Sequence, residues 1–332
     1  MIGSHANMVA LANRLRVDDK NRGELESMRK DVFEGIYNGI RNLKKKQNPW
    51  RLTRAKELRT GSLYRGTAMK GSADIDVILL LNFQPQEDMK GLPRAKEILI
   101  LIQSLVPKGY TAKMNKRSVT VSKNSTTRAP MNSWLSTMMG QQTHHSMDIV
   151  PALRRVGQGQ KPSTWWYGVS KVSGPAQWLR FNPTHQKEMF SKLTKRSNQK
   201  DDPTTVIICL KHWRNQFRNP PCKLPSYVFE VLTWEDYRSY PSENDLTERF
   251  NRILKNFKRI HNQGISFHGT MSGSHKPNDS KVAKGTPLLH DPSNTSQNLV
   301  KHLRKEDLEW WSAKAQQAAN SGATFHSVLR EW

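Results

Sequence analysis

GSLYRGTAMKGSADIDVILLL, Gly61 to Leu81, is the stretch that decides the fold of this 332-residue chain. It closes on an unbroken apolar run, Val77 to Leu81, in a sequence only 36% hydrophobic, and two aspartates, Asp74 and Asp76, stand just before that run. The run from Ile75 to Leu81 is rich in β-branched residues and leucine, which predicts a central strand covered on both faces. Successive strand side chains alternate faces, so Asp74 and Asp76 project together while Ile75 and Val77 point into the core. Two carboxylates a few ångströms apart repel, and one is protonated at neutral pH unless a cation sits between them. Magnesium accepts such oxygens and keeps positions for water and substrate phosphates, and manganese can take its place. The pair therefore asks for a metal and a triphosphate together.

The residues just upstream supply the phosphate half. Gly61 permits close backbone approach, Ser62 offers a hydroxyl and an amide, and a turn or helix start there aims N–H groups at an anion. Arg65 and Lys70 add positive charge. A third oxygen ligand comes from SMDIVPALRR, residues 146–155, where Asp148 lies between Met147 and Ile149 and Pro151 marks the expected end of a short strand. With that strand beside the first, Asp148 completes a cluster suited to two-metal in-line displacement. One ion activates an attacking sugar hydroxyl and the other neutralises the leaving pyrophosphate.

Working outward, Leu25, Met28, Val32, Ile36, Ile40 and Leu43 recur at helical spacing. The basic segment 51–60 reads as strand or helix, Ala95 to Leu105 as helix, and YTAKMNKRSVTVS, residues 110–122, as one or two strands. Residues 124–142 read as loop with a short helix, and Gly157 to Gly174 as an irregular boundary. Helices are expected over Pro183 to Arg196, Pro203 to Phe217, Ser226 to Trp234 and Ser242 to Asn262, with Asp202 capping the second and Pro203 at its first position. A long surface loop, 262–298, and a last helix, Ser296 to Ala319, close the chain. The expected division is a tail over 1–22, a catalytic lobe over 23–160 and a helical lobe over 161–332.

Lysine and arginine number 53 against 28 acidic residues, a formal net charge of +25. That surplus predicts an anionic partner, and its spread along the chain favours nucleic acid over a membrane. Cys209 and Cys222 lie in no CxxC pattern, cannot assemble a zinc site by themselves and suit a reducing compartment. No basic start leads into a long apolar core, and no stretch approaches the roughly 20 apolar residues of a membrane span. A soluble intracellular protein is expected.

These motifs resemble the polymerase β-like nucleotidyltransferase superfamily, marked by GS, a spacer, D-x-D and a distant third Asp. More narrowly they resemble 2′-5′-oligoadenylate synthetases and their cyclic GMP-AMP synthase-like and bacterial cyclic-oligonucleotide synthase relatives. Beyond the phosphate loop, the likeness rests on MDIVPAL (147–153), VIICLKHWRNQ (206–216), KLPSYVFEVLTWE (223–235) and PLLHDPSNTSQNLV (287–300). The resemblance implies a bilobal α+β fold, with a mixed central sheet in the N-lobe and a helical C-lobe. It implies a template-independent enzyme joining ATP into 2′-5′ oligoadenylates, switched on by double-stranded RNA in innate antiviral signalling, in the cytoplasm or the nucleus. Asp74, Asp76 and Asp148 would hold magnesium, Ser62 would contact donor phosphates, Arg65 the acceptor and Lys211 the triphosphate, and Tyr227, beside Ser226, would stack on a base.

Departures from the synthetases accompany the match. Ile208 stands where they carry arginine, and Ser226 where they carry glutamine. The Ser-Tyr pair and WLRFNPTHQKEMF (178–190) are more like the cyclic-dinucleotide relatives. The alternative is therefore a cyclic di- or trinucleotide synthase, and a further one an RNA tailing enzyme. His144 and His145 read as loop residues. A duplex-RNA face is expected from Lys44, Lys45, Lys46, Arg51, Arg54, Lys56 and Arg59, between the first long helix and the phosphate loop.

Overall fold

The structure, a computed structural model, describes residues 2–44, 46–70, 74–84, 91–123, 145–156, 166–169, 178–181, 188, 191, 201–217, 219–262, 288–291 and 294–320. The chain forms two compact units, one of Val17–Pro183 and one of Met1–Arg16 with Thr184–Trp332. This division differs from the expected one at both ends. Helix α1, Ile2–Leu15, is no detached tail: Met8, Leu11 and Ala12 are buried, and its unit is the one that holds the C-terminal helices.

The Val17–Pro183 unit is built on a mixed sheet. Its strands are β1 (Thr53–Thr60), β2 (Asp74–Phe83), β3 (Tyr110–Met114), β4 (Val119–Lys123), β5 (Ser146–Arg155), β6 (Trp166–Val169) and β7 (Trp178–Phe181). The order is β1-β2-β5-β4-β3, with β6 pairing β5 and β7 pairing β6. β2 and β5 run parallel, and the other pairs are antiparallel. Ile75, Val77, Leu79 and Leu81 of β2, with Met147, Ile149, Val119 and Val121, form one core face. Against it pack α2 (Asp19–Asn42), through Leu25, Met28, Val32, Phe33, Ile36 and Ile40, and α4 (Ala95–Ser104), through Ile98, Leu99 and Ile102. The opposite face carries a smaller apolar cluster of Leu58, Ile78, Leu80, Ala152 and Trp166. Val77 to Leu81 is thus buried from both sides, as its composition predicts.

Local chemistry sets the ends of these elements. Asp18 caps α2 by accepting from the Asn21 N–H at 2.9 Å. Gly39 lets α2 approach its neighbour, since a Cβ there would lie 2.7 Å from the Leu105 side chain. Pro151 does not end β5. It falls after Ile149, the last residue paired to β4, and before Ala152, the first paired to β6, so its missing N–H breaks no ladder on that side.

The second unit adds to α1 four described helices, α5 (Pro203–Asn215), α6 (Ser226–Ser239), α7 (Leu246–Asn262) and α8 (Lys305–Asn320), and a short hairpin of β8 (His290–Asp291) and β9 (Asn294–Asn298). Trp213 of α5 makes edge contacts with Phe217, Phe229 and Trp311, the last at a centroid distance of 5.7 Å. A buried charge cluster ties α7 to α6. Arg249 donates to Asp201 and Asp236, each at 3.0 Å, and lies 3.7 Å from the Tyr237 ring centroid, while the Tyr237 hydroxyl donates to Asp201 at 2.6 Å. The last helix starts at Lys305 rather than Ser296, because 294–298 pairs as a strand. The boundary segment contains strand β6 in place of continuous irregular chain. The expected loop over 124–142 lies outside the described residues, as does the helix over 183–196 apart from Glu188 and Ser191. Most of the loop over 262–298 lies outside them too.

Candidate active site

Strand register sets the predicted carboxylates on adjacent rows of one sheet face. In the parallel β2–β5 pair, Asp74 stands opposite Ser146 and Asp76 opposite Asp148. β1 places Thr60 on the other side of Asp76, and β4 places Thr120 on the other side of Asp148. Lateral neighbours in a sheet share a face, and so do residues two apart along a strand. One row therefore reads Thr60, Asp76, Asp148, Thr120, and the next Asp74, Ser146, all on the face away from the α2–α4 core. Asp74 is exposed, and Asp76 and Asp148 are half-buried.

The phosphate-loop residues follow without a break. Chain leaving β1 at Thr60, opposite Asp76, turns into the single helical turn α3, Gly61–Tyr64. Gly61 has φ 76°, and a Cβ there would lie 2.6 Å from the Cβ and 2.7 Å from the Cγ of Asp76. Only glycine lets the turn sit this close to the carboxylate. Ser62 is half-buried in the first position after it, and its carbonyl accepts from the Thr67 N–H at 2.9 Å, closing the loop. Arg65 donates to the Thr60 hydroxyl at 3.3 Å, so its guanidinium lies by the same row. Lys70 is exposed.

No metal-like group of three His, Cys, Asp or Glu side chains is gathered among the described residues. The carboxylates instead bond to their row neighbours: Ser146 donates to Asp74, and Thr120 donates to Asp148. The donor set fits a hard divalent ion all the same. It is all oxygen, it bears the charge such an ion neutralises, and neighbouring strands stand only about 4.8 Å apart.

The second unit holds the remaining predicted residues. Lys211 on α5 is 3% exposed, and its ammonium pairs with Glu230 of α6 at 3.1 Å. It is a buried ion pair here, not the exposed cation that a phosphate contact suggests. Tyr227, half-buried at the start of α6, donates its hydroxyl to the buried Asp291 at 3.2 Å. Ser226 accepts from Arg214 at 3.0 Å, and the same guanidinium nitrogen donates to the Leu224 carbonyl at 2.8 Å. Ile208, in the position of the synthetases' arginine, is fully buried.

Of the expected nucleic-acid residues, Lys44, Lys46, Arg51, Arg54, Lys56 and Arg59 are exposed, and Lys45 lies outside the described residues. Two of them serve the fold: Arg54 stacks over Tyr37 at 4.1 Å, and Arg59 lies 3.5 Å from Glu26. β1 is an edge strand, and basic side chains on an edge also discourage pairing with another sheet. His145 is tied to the first turn of α2 through Asn21, at 3.3 Å. Sequence reading missed Thr120, Ser146, Glu230 and Arg214. Alternation in residues 119–122 is a signal that could place Thr120 on the non-core face, but only strand pairing shows what it faces.

The fold is an α+β nucleotidyltransferase fold, with a mixed sheet carrying the acidic face. Solved structures match it over nearly the whole chain. CdnC of E. coli MS115-1, solved with ATP, aligns with a TM-score of 0.63 at 14% identity over 96% of this chain and 91% of that one. A mutant of the Vibrio cholerae di-nucleotide cyclase DncV, with ATP and GTP, aligns at 0.61 and 10% identity over 93% and 87%. The Bradyrhizobium diazoefficiens CD-NTase CdnG, with GTP, aligns at 0.60 and 12% identity over 98% and 92%. No protein-family model and no curated protein sequence matches the chain. Among the described residues no helix is long and apolar enough to cross a membrane.

Proposed function

We propose that this chain is a template-independent nucleotidyltransferase that joins nucleoside triphosphates into a cyclic di- or trinucleotide with release of pyrophosphate. The observation that carries the reading is the register that sets Asp76 beside Asp148, with Asp74 one row away and the Gly61–Ser62 turn against Asp76. Support for a cyclic product comes from the structural relatives, among them a di-nucleotide cyclase, and from the Ser226–Tyr227 pair in place of the synthetases' Gln-Tyr.

In this reading the Gly61–Ser62 turn offers amides and a hydroxyl to the donor triphosphate, and Arg65 adds a cation at the same row. Asp74, Asp76 and Asp148 would hold magnesium or manganese. Bound there, the ion supplies charge neutralisation at the triphosphate and a lowered pKa for an attacking sugar hydroxyl. The half-buried Tyr227, its hydroxyl anchored on Asp291, offers a ring face for a base. Lys211 acts first on the protein, by neutralising Glu230 inside the helical unit.

A second reading, linear 2′-5′ oligoadenylates, is favoured by the close likeness of Gly61–Thr67 and of Lys211–Trp213 to the synthetases' motifs. Duplex RNA as an activator is supported by net charge and by the exposed cations near β1 alone, so it enters as one arm of the test. Purified protein is incubated with labelled ATP, GTP, CTP and UTP and magnesium, with and without duplex RNA, and the products are digested with linkage-specific nucleases and phosphatase. The reading expects a product without terminal phosphate. Phosphatase-sensitive 2′-5′ chains would move the conclusion to the second reading, and an extended RNA end would move it to a tailing enzyme.

A further inference from the structure

Each of the three carboxylates is flanked by a group that fixes it. Asp76 is hemmed in by the Gly61 backbone, Asp74 accepts from Ser146, and Asp148 accepts from Thr120. The third arrangement is directional. Thr120 has a single hydroxyl proton, and its oxygen already accepts from the Asn115 side-chain amide at 2.6 Å, so the proton goes to Asp148. Asn115 is itself set by the β3–β4 turn, where its backbone N–H donates to the Ser118 carbonyl at 2.8 Å.

We propose that Thr120, oriented by Asn115, and Ser146 are positioning residues, whose donated hydrogen bonds fix Asp148 and Asp74 as ligands for the divalent ion of the transferase site. The inference rests on the transferase reading above and adds residues that the motif likeness does not reach. The strands dictate both pairings, since Ser146 is the register partner of Asp74 and Thr120 that of Asp148. Each bond engages one oxygen of its carboxylate and leaves the second for the ion. A carboxylate held this way loses little rotamer freedom when the ion arrives, whereas an unheld one loses it each time. Outer partners of metal ligands commonly contribute about 10–100-fold in metal affinity or activity.

The test is a direct titration of the full chain with Mn2+, followed by the loss of the free-ion electron paramagnetic resonance signal. Wild type is compared with Thr120→Val, Thr120→Ser, Ser146→Ala and Asp148→Asn, with thermal unfolding in chelator as the fold control. Thr120→Val removes the hydroxyl at nearly constant shape and should weaken Mn2+ binding about 10–100-fold, with Ser146→Ala in the same range. Thr120→Ser should bind as wild type does, and the Mg2+ concentration for half-maximal turnover should shift in step with Mn2+ affinity. Should Thr120→Val not fold, Asn115→Ala on the exposed turn is expected to show a smaller shift of the same sign. Unchanged Mn2+ binding in Thr120→Val and Ser146→Ala, beside a loss in Asp148→Asn, overturns the positioning role and leaves the transferase reading intact. Equal Mn2+ binding by wild type and Asp148→Asn overturns both.

Discussion

At Gly61 the backbone takes φ 76°, a conformation costly for any residue with a Cβ, and the space a Cβ would need is filled by Asp76. Gly61→Ala is therefore expected to displace the turn or the carboxylate. Turnover should fall about 100-fold, as for comparable misplacements of roughly an ångström, while unfolding shows a loss of about 1–2 kcal/mol. Retained turnover would mean that the turn does not address the carboxylate. Lys211 carries a different expectation. Lys211→Met leaves the buried Glu230 without its cation and should cost about 3–5 kcal/mol in denaturant unfolding, whereas a side chain acting only on phosphate would raise the nucleotide KM with little change in stability. That Asp74 and Asp76 share a face was legible in the sequence because strand alternation fixes it, whereas the place of Asp148 beside Asp76 depends on the β2–β5 pairing. The pairing of Lys211 with Glu230 was not, because it joins two helices whose packing no local pattern records.

Helix α5 shows how an element holds its residues in place. Asp202 accepts from the Thr204 N–H at 3.0 Å and pairs with Arg16 at 2.6 Å, joining α1 to the start of α5. Burial pushes the Asp202 carboxyl up, but hydrogen bonds from Thr204 and Arg16 outweigh it and hold the group below its ordinary value. Asp202→Ala should destabilise the protein by about 1–2 kcal/mol in denaturant unfolding, and Asp202→Asn, which can still cap, by less. His212 on the same helix is held below its usual 6.5, first by burial and then by the charge of Arg14. The folded state favours the neutral ring, so this contribution is full above pH 6.5 and is lost as pH falls toward the folded value. His212→Gln should flatten the drop in unfolding midpoint between about pH 7 and about pH 5. Sequence reading found Asp202 and Pro203 because caps are local chemistry. It stopped β5 at Pro151 too early, because whether proline breaks a ladder depends on which strand lies beside it.

For the whole molecule, periodicity and turn chemistry foretold most described helices and the central strands, while the unit that α1 joins is written in neither. α1 precedes the Val17–Pro183 unit in sequence, yet Met8 and Ala12 are buried in the unit that contains α5 to α8, a long-range choice that no window of residues encodes. The net charge of +25 carries its own expectation. Any duplex RNA affinity should fall linearly in a plot of log affinity against log salt, and replacing Arg51 and Lys56 with alanine should lower that slope by about one unit each if both touch phosphate. The central claim is that the acidic face of β2 and β5 transfers nucleotides, and its most direct measurement is pyrophosphate release from mixed nucleoside triphosphates in magnesium. Wild type should release pyrophosphate in step with nucleotide incorporation, chelator should stop it, and Asp76→Asn and Asp148→Asn should each abolish it while keeping the wild-type circular dichroism. Undiminished release by either variant would contradict the account.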